Sequence, residues 1–135
     1  MTRYLLDSNI LIAAMRGHAD VKRRLYQIDS AAVALSSIVL GELLVGVGKS
    51  RLTAKSRAAL ESVTAKLNVV PVNADVSKAY GKIRSELELA GRPIGANDFW
   101  IAAQAVAFEM ILVTDNIREF ERVPGLQLEN WIRSS

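Results

Sequence analysis

The sequence contains no cysteine and only one histidine, His18. The absence of cysteine excludes a disulfide framework, a thiolate zinc site and a cysteine nucleophile. A single histidine excludes chemistry that needs a histidine pair. No apolar run approaches the roughly 20 residues that span a bilayer, and an apolar, strand-like segment already begins at Tyr4. We therefore expect no membrane anchor and no signal peptide, and a cytoplasmic protein.

The chain nevertheless has enough hydrophobic residues to form a folded core. Of its 135 residues, 50% are hydrophobic and 23% are charged, which is ordinary for a globular domain. We predict a single domain over residues 1–135. The net charge is +3, and basic residues concentrate between Lys49 and Lys66. Such a surface is compatible with nucleic acid, although charge alone favours solvated helix faces.

Short apolar segments alternate with helical patterns along the whole chain. Strands are predicted at residues 4–6, 32–35, 69–72, 111–114 and 126–129. Helices are predicted from a cap at Ser8 or Asn9 to Met15, over 20–28, from Ser36 and Ser37 to about Val47, over 53–67, between Asn73 and Gly91, over 98–109, and as a short turn near 118–120. The alternation predicts an α/β fold with a central, mainly parallel sheet flanked by helices.

Three aspartates fall at positions where such folds place functional groups. Asp7 and Asp115 each follow an apolar strand directly, and the carboxyl ends of parallel strands gather at one edge of a sheet. Asp98 lies in the first turn of a helix that is apolar almost all round. A helix dipole favours a carboxylate there for structural reasons alone, and Asp7 could likewise only start a helix, so both interpretations remain open for each residue.

Glu42 lies on the side of its helix opposite the expected core stripe. That stripe consists of the residues Leu40, Leu43, Leu44 and Val47. Ile38 and Val45 flank Glu42, so we expect this second face to be half-buried in a groove or against a partner. An acid there has a raised pKa unless a cation compensates; the simpler alternative is an exposed glutamate paired with Lys49.

Acids that converge at one sheet edge repel one another, and a divalent cation relieves the repulsion. An all-oxygen ligand set suits Mg²⁺ or Mn²⁺, and zinc is disfavoured without histidine or cysteine. A cation of this kind beside a basic surface indicates phosphate chemistry, in which it activates a water and neutralises charge on the phosphoryl oxygens.

Several segments carry a specific resemblance. They are Tyr4-Leu5-Leu6-Asp7-Ser8-Asn9, Ser36-Ser37-Ile38-Val39-Leu40-Gly41-Glu42-Leu43, Ile94-Gly95-Ala96-Asn97-Asp98-Phe99-Trp100-Ile101-Ala102-Ala103, and the tail from Val113-Thr114-Asp115-Asn116 through Arg118 to Gly125. Over essentially its whole length the chain resembles the VapC-type PIN-domain toxins of type II (VapBC) toxin–antitoxin systems.

The resemblance implies a three-layer PIN-like fold and a set of site residues. Asp7 and Asp98 would bind the metal, and Glu42 and Asp115 would complete the catalytic acids, directly or through water. Many family members place the fourth acid two residues after the threonine, where this chain has Asn116, so either Asp115 or Asn116 is expected to face the metal. Polar support would come from Ser8, Asn9, Thr114 and Asn116. Basic residues expected to hold RNA are Lys49, Arg51 and Arg92.

The same resemblance implies a Mg²⁺- or Mn²⁺-dependent endoribonuclease that cuts RNA, commonly tRNA or rRNA. It further implies a cognate VapB-type antitoxin, operator DNA bound only through the toxin–antitoxin complex, a homodimer and no membrane. The alternative is a catalytically silent PIN-like module that binds RNA or a partner, although such a member would typically have lost one of the two aspartates.

Three other phosphate-handling patterns do not fit the sequence. Gly46-Val47-Gly48-Lys49-Ser50 lacks the first glycine of a phosphate-binding loop, because Leu43 stands in its place. It also continues an apolar helix, which Gly48 is expected to end. A phosphoacceptor domain of the haloacid dehalogenase type needs a second acid where this chain has Asn9, and a receiver domain needs a lysine after a late strand.

Overall fold

A computed structural model of the protein describes residues 2–133. Within them, five strands form one sheet in the order β3-β2-β1-β4-β5, and every neighbouring pair is parallel. The strands are β1 (Tyr4–Leu6), β2 (Val33–Ser36), β3 (Asn68–Val70), β4 (Ile111–Val113) and β5 (Leu128–Glu129). The predicted α/β fold is confirmed, and its sheet is parallel throughout the described residues.

Helices fill the connections between these strands. They are α1 (Ser8–Met15), α2 (Ala19–Gln27), α3 (Ser37–Lys49), α4 (Thr53–Thr64), α5 (Ala74–Leu89), α6 (Ala96–Ala107) and α7 (Ile117–Phe120), with a 3₁₀ turn at Ser30–Ala32. Of the helices in residues 2–133, none is long and apolar enough to cross a membrane. The single domain over 1–135 stays a prediction, and Met1, Ser134 and Ser135 lie outside the described residues.

The helix α5 shows how local signals set an element's ends. The side chain of Asn73 accepts a hydrogen bond from the backbone N–H of Val76 at 3.0 Å, which caps the first turn. Gly91 follows the last turn with a φ of 70°, a left-handed conformation that glycine adopts without strain. Both signals are local in sequence, and both predictions are confirmed.

Three local predictions were wrong. Helix α1 is capped by Asp7, whose side chain accepts from the N–H of Ser8, and not by Ser8 or Asn9. Helix α3 continues past Gly48 to Lys49. The buried stripe of α3 is Val39, Leu43 and Val47, one residue in every four, whereas Leu44 is 42% exposed.

The centre of the sheet fixes the position of the residue that follows β1. Strand β1 lies between β2 and β4, and the side chains of Leu5, Leu6, Leu112 and Val113 are fully buried. A parallel strand covered on both faces is held by apolar packing along its whole length. The residue that follows β1 is therefore placed at the middle of the carboxyl edge.

Helix α6 is held by two sets of contacts. On one side, Trp100 stacks on Tyr80 of α5 with ring centroids 3.6 Å apart, and Phe99 is buried beneath them. On the other side, the fully buried Gln104 accepts from Ser36 Oγ at 2.5 Å and donates to the backbone oxygen of Val70 at 2.9 Å. These contacts tie α6 to the ends of β2 and β3, so its first turn is fixed against the sheet edge.

Candidate active site

Asp7 is the most deeply buried acid in the described part of the chain, with 4% of its surface exposed. Its Oδ1 accepts from the N–H of Ser8 at 2.8 Å, and its Oδ2 accepts from Thr114 Oγ1 at 2.8 Å. Asn9 Nδ2 adds a longer contact of 3.4 Å to Oδ2. The carboxylate is therefore oriented by groups on both sides, from α1 and from the end of β4.

Asp98 lies in the first turn of α6 and is half-buried. A Cβ on Gly95 would lie 2.9 Å from Asp98 Oδ2, so a glycine at this position leaves room for the carboxylate. The carboxyl also hydrogen bonds to Glu119. The resemblance implied that Asp98 binds a metal together with Asp7, and in the structure the Asp98 carboxyl is close enough for the charge of Asp7 to act on it.

Glu119 is the functional candidate that sequence reasoning missed. It lies on α7, where its Oε1 accepts from the N–H of Gly95 at 2.6 Å and its Oε2 accepts from Asn116 Nδ2 at 2.5 Å. The available signal was an acid three residues beyond Asn116, within reach of that side chain on one helical turn. Asn116 thus orients an acid.

The structure does not bring Asp115 together with the other acids. Its Oδ1 accepts from Asn130 Nδ2 at 2.9 Å and pairs with Arg133 Nε at 2.9 Å. Only its backbone reaches toward the site, because its N–H donates to Asn9 Oδ1 at 3.0 Å. The carboxylate of Asp115 is thus used to hold the C-terminal segment.

Of the predicted polar residues, Thr114 and Asn9 connect neighbouring segments through their side chains, whereas Ser8 contributes its backbone N–H to Asp7. Thr114 is fully buried, donates to Asp7 and accepts from the N–H of Asn116 at 3.0 Å. Asn9 bridges Asp7, Thr114 and the backbone of Asp115. Thr114 and Asn9 thus form a frame in which each side chain satisfies two neighbouring segments at once, which fixes the end of β4 against the start of α1.

Glu42 projects from α3 toward the same pocket, although the residue as a whole is exposed. Burial of its carboxyl and the nearby charge of Asp7 raise its pKa, and a hydrogen bond from the Asn97 side chain acts in the opposite direction. Asn97 directly precedes Asp98, so α3 and the start of α6 meet at this point.

The electrostatics of the four acids are coupled. Burial, then the charges of Glu119 and Asp7, raise the pKa of Asp98 to about 7. Burial also raises the pKa of Asp7, with Glu119 contributing, while hydrogen bonds from its frame oppose the shift. For Glu119, burial opposes ionisation, but hydrogen bonds from Gly95, Asn116 and Asp98 outweigh it and lower the pKa. The carboxyl of Asp98 therefore ionises near neutral pH when no cation is present, far above the ordinary range of an aspartate.

This donor set fits a hard divalent cation. Among residues 2–133, no three Asp, Glu, His or Cys side chains are drawn together tightly enough to enclose a metal as they stand. Asp7, Glu42, Asp98 and Glu119 nevertheless perturb one another's pKa. All their ligand atoms are oxygens, which suit Mg²⁺ or Mn²⁺. Added positive charge would favour the ionised form of Asp98, which burial and the neighbouring acids disfavour.

The basic residues predicted to hold RNA are all exposed. Arg92 lies in the loop before α6, whereas Lys49 and Arg51 lie where α3 ends. Lys49 is seven residues beyond Glu42, which corresponds to about 10 Å along a helix. Their role in RNA binding stays a prediction.

Comparison with known proteins agrees with this geometry. The PIN domain family model matches residues 4–126. Ribonuclease VapC2 of Rickettsia felis is 40% identical over 130 residues, covering 95% of this chain and 97% of the relative. The tRNA(fMet)-specific endonuclease VapC of Shigella flexneri is 35% identical, covering 97% and 99%.

A solved structure gives the same result. The structure of VapBC2 from Rickettsia felis bound to a DNA fragment from its promoter contains a chain that superposes with a TM-score of 0.90 at 38% identity. The match covers 96% of this chain and 99% of that chain. The protein belongs to the PIN-domain family and, within it, to the VapC ribonucleases, as its resemblance implied.

Proposed function

We propose that this protein is the endoribonuclease toxin of a toxin–antitoxin pair and that it cuts RNA with a Mg²⁺ or Mn²⁺ ion held by Asp7, Glu42, Asp98 and Glu119. The observation that carries the proposal is the coupling of these four carboxylates at the carboxyl edge of the sheet, where the pKa of Asp98 is raised to about 7. Clusters of acids with raised pKa values are typical of functional sites. The Rickettsia relative is named a ribonuclease, and the Shigella relative is named a tRNA(fMet)-specific endonuclease.

The chain's own residues have distinct tasks in this proposal. Asp7 is fixed by Thr114 and Ser8, and so presents its carboxylate in one orientation. Glu119 presents one oxygen to Gly95 and the other to Asn116. Asp98 would lose its proton when a divalent cation binds to the site. A bound divalent cation supplies Lewis-acid stabilisation of the phosphodiester and lowers the pKa of water. We assign the fourth acid to Glu119 instead of Asp115, because the carboxyl of Glu119 interacts directly with that of Asp98, whereas Asp115 pairs with Asn130 and Arg133.

The antitoxin half of the proposal rests on the relatives and on a groove beside the pocket. The matching chain in the Rickettsia structure belongs to a VapBC complex. In this protein, a groove of about 450 Å³ runs between α1, α3 and α4, and Glu42 lies in its lining with the apolar Ile12, Leu43, Val47 and Leu52. A partner segment seated there would reach the acidic pocket. We propose that a VapB-type antitoxin occupies this groove and that the toxin–antitoxin complex binds operator DNA. We further propose that the toxin is a cytoplasmic homodimer.

The test is cleavage of a labelled RNA panel, including tRNA and rRNA, by the antitoxin-free protein. Cleavage should occur with Mg²⁺ or Mn²⁺ and disappear with EDTA. Asp7→Asn and Asp98→Asn should lose it, whereas Glu61→Gln, which removes an exposed acid on α4, should keep it. RNA binding without cleavage by folded protein, with metal present, would instead favour the silent binding module.

A further inference from the structure

The loop that delivers Asp98 is held from a distant segment of the chain. This loop spans residues 91–95 and leads into α6, whose N-cap residue, Gly95, has no side chain to cap the helix. Two contacts come from α7 and the residues after it. Glu119 Oε1 accepts from the N–H of Gly95 at 2.6 Å, and Arg122 donates to the backbone oxygen of Pro93 at 2.8 Å. The first contact belongs to a candidate metal ligand, and the second has no role in the proposed function.

The position of this loop determines where Asp98 lies. A Cβ on Gly95 would come within 2.9 Å of Asp98 Oδ2 and 3.6 Å of Glu119 Oε1. The Gly95 backbone therefore contacts Glu119 directly through its N–H and leaves no room for a side chain beside the Asp98 carboxylate. Any shift of the loop changes the separation of Asp98 and Glu119, and it also weakens the hydrogen bond between Gly95 and Glu119.

Arg122 is suited to hold this loop. Its backbone N–H donates to the carbonyl of Glu119 at 3.2 Å, which fixes it one turn beyond that acid. The guanidinium group is planar and has its donors in a rigid fork, so a contact to a carbonyl sets a direction as well as a distance. Its charge also favours ionised Glu119. We propose that Arg122 is a positioning residue that fixes loop 91–95, and through it the arrangement of Asp98 and Glu119. Its effect on cleavage rests on the proposed function.

The chain offers a matched control for the test. Arg118 lies on α7, is exposed, and makes no side-chain hydrogen bond or ion pair with residues 2–133. Arg118→Met and Arg122→Met remove the same charge from the same region, but only the second removes the contact to Pro93. Arg122→Lys keeps the charge and a donor, and should restore part of the function. Gly95→Ala disturbs Asp98 from the loop side without touching Arg122.

The first readout is Mn²⁺ binding to the RNA-free protein by titration calorimetry. Arg122→Met should weaken binding by about tenfold, the lower end of what loss of a ligand-orienting partner costs. Gly95→Ala should act in the same direction. Arg118→Met should stay within about twofold, because an exposed charge is screened by salt. In cleavage assays, Arg122→Met should lower kcat and leave KM nearly unchanged.

The second readout needs neither metal nor RNA. Hydrogen exchange of the Gly95 amide in the metal-free protein should be faster in Arg122→Met than in wild type or Arg118→Met. Equal exchange and equal Mn²⁺ affinity in the two arginine variants would overturn the proposal, and so would a rise in KM alone, which would indicate direct RNA contact. If wild type bound no Mn²⁺ and cut no RNA, the proposed function would fail, while the exchange result would still decide whether Arg122 holds the loop.

Discussion

Replacing Asp98 with asparagine should stabilise the metal-free protein at pH 8 while abolishing its response to metal. The reason is that the surroundings of the Asp98 carboxyl disfavour its ionised form. Burial, the charges of Glu119 and Asp7, a hydrogen bond with Glu119 and the charge of Glu42 all act to raise its pKa. Asparagine has nearly the same shape and can still donate to Glu119, but it carries no charge. The substitution thus removes the repulsion and keeps the packing.

The size of the effect follows from the pKa. A rise from the ordinary 3.8 to about 7 corresponds to at most about 4 kcal/mol, at roughly 1.36 kcal/mol for each pKa unit. Asp98 is only half-buried, so solvent screening reduces this value, and we expect about 1–2 kcal/mol. For a domain of this size, 1 kcal/mol corresponds to roughly 3–5 °C in Tm. The variant should therefore melt several degrees above wild type.

The pH dependence has a definite sign. The pKa of Asp98 is higher in the folded protein than in the unfolded chain, so the folded state binds more protons between those two values. The stability of wild type should then fall as the pH rises from about 4 to about 7. Asp98→Asn lacks this contribution, so the gap between the two proteins should be widest above pH 7 and narrow toward pH 5. Asp7 and Glu42 titrate in both proteins, so the difference curve reports Asp98 together with the change that its replacement makes in the titration of Glu119.

The assay is urea unfolding of both proteins in EDTA at pH 5, 6, 7 and 8, repeated at pH 8 with Mg²⁺ or Mn²⁺. Metal should stabilise wild type by mass action and leave the variant nearly unchanged. A variant less stable than wild type at pH 8 without metal would refute the reasoning, because it would mean that Asp98 contributes structure and not repulsion. A gap independent of pH would refute it as well.

Two further substitutions test the frame around the site. Thr114→Val keeps the shape of a buried side chain but removes the donor to Asp7. The free energy of unfolding, measured by denaturation, should therefore fall by about 1–3 kcal/mol. Cleavage in the RNA assay should also fall strongly. Asp115→Asn should retain most of the cleavage activity, because the carboxylate of Asp115 pairs with Arg133 and Asn130 and not with the other acids. Cleavage as low as in Asp7→Asn would return Asp115 to the catalytic set, and proteolysis of the C-terminal segment would show whether Asp115 anchors it.

The parts of the site that could be predicted from the sequence depend on local rules. Asp7 follows a buried strand and Asp98 starts a buried helix, and either position is fixed by two or three neighbouring residues. The general course of the fold follows for the same reason, since the alternation of short strands and helices specifies a parallel sheet. The ends of α5 at Asn73 and Gly91 are equally local.

The fourth acid could not be predicted in this way, because long-range contacts decide it. Asp115 and Glu119 both follow β4 closely, and nothing in the periodicity says which one faces the pocket. In the structure, Asn130 and Arg133 bind Asp115 from the end of the chain, 15 and more residues away. Gly95, on the opposite side of the site, binds Glu119. The choice between the two acids is therefore made by tertiary contacts that no short motif contains.

The sequence left open whether Asp7 starts a helix or binds a cation, and the structure shows that these roles do not compete. Its Oδ1 caps α1 through Ser8, and its Oδ2 accepts from Thr114, while an ionised carboxylate has about four acceptor sites. The cap therefore orients the group without exhausting it. This determines which substitution tests the site: alanine would also remove the cap, at a cost of about 1 kcal/mol, whereas asparagine caps a helix as well as aspartate does. The amide of Asp7→Asn places an NH2 group where Oδ2 accepts from Thr114, so its effect has to be compared with that of Thr114→Val, which removes the same contact. A greater loss of cleavage in Asp7→Asn than in Thr114→Val, at similar stability, would report on the charge of Asp7.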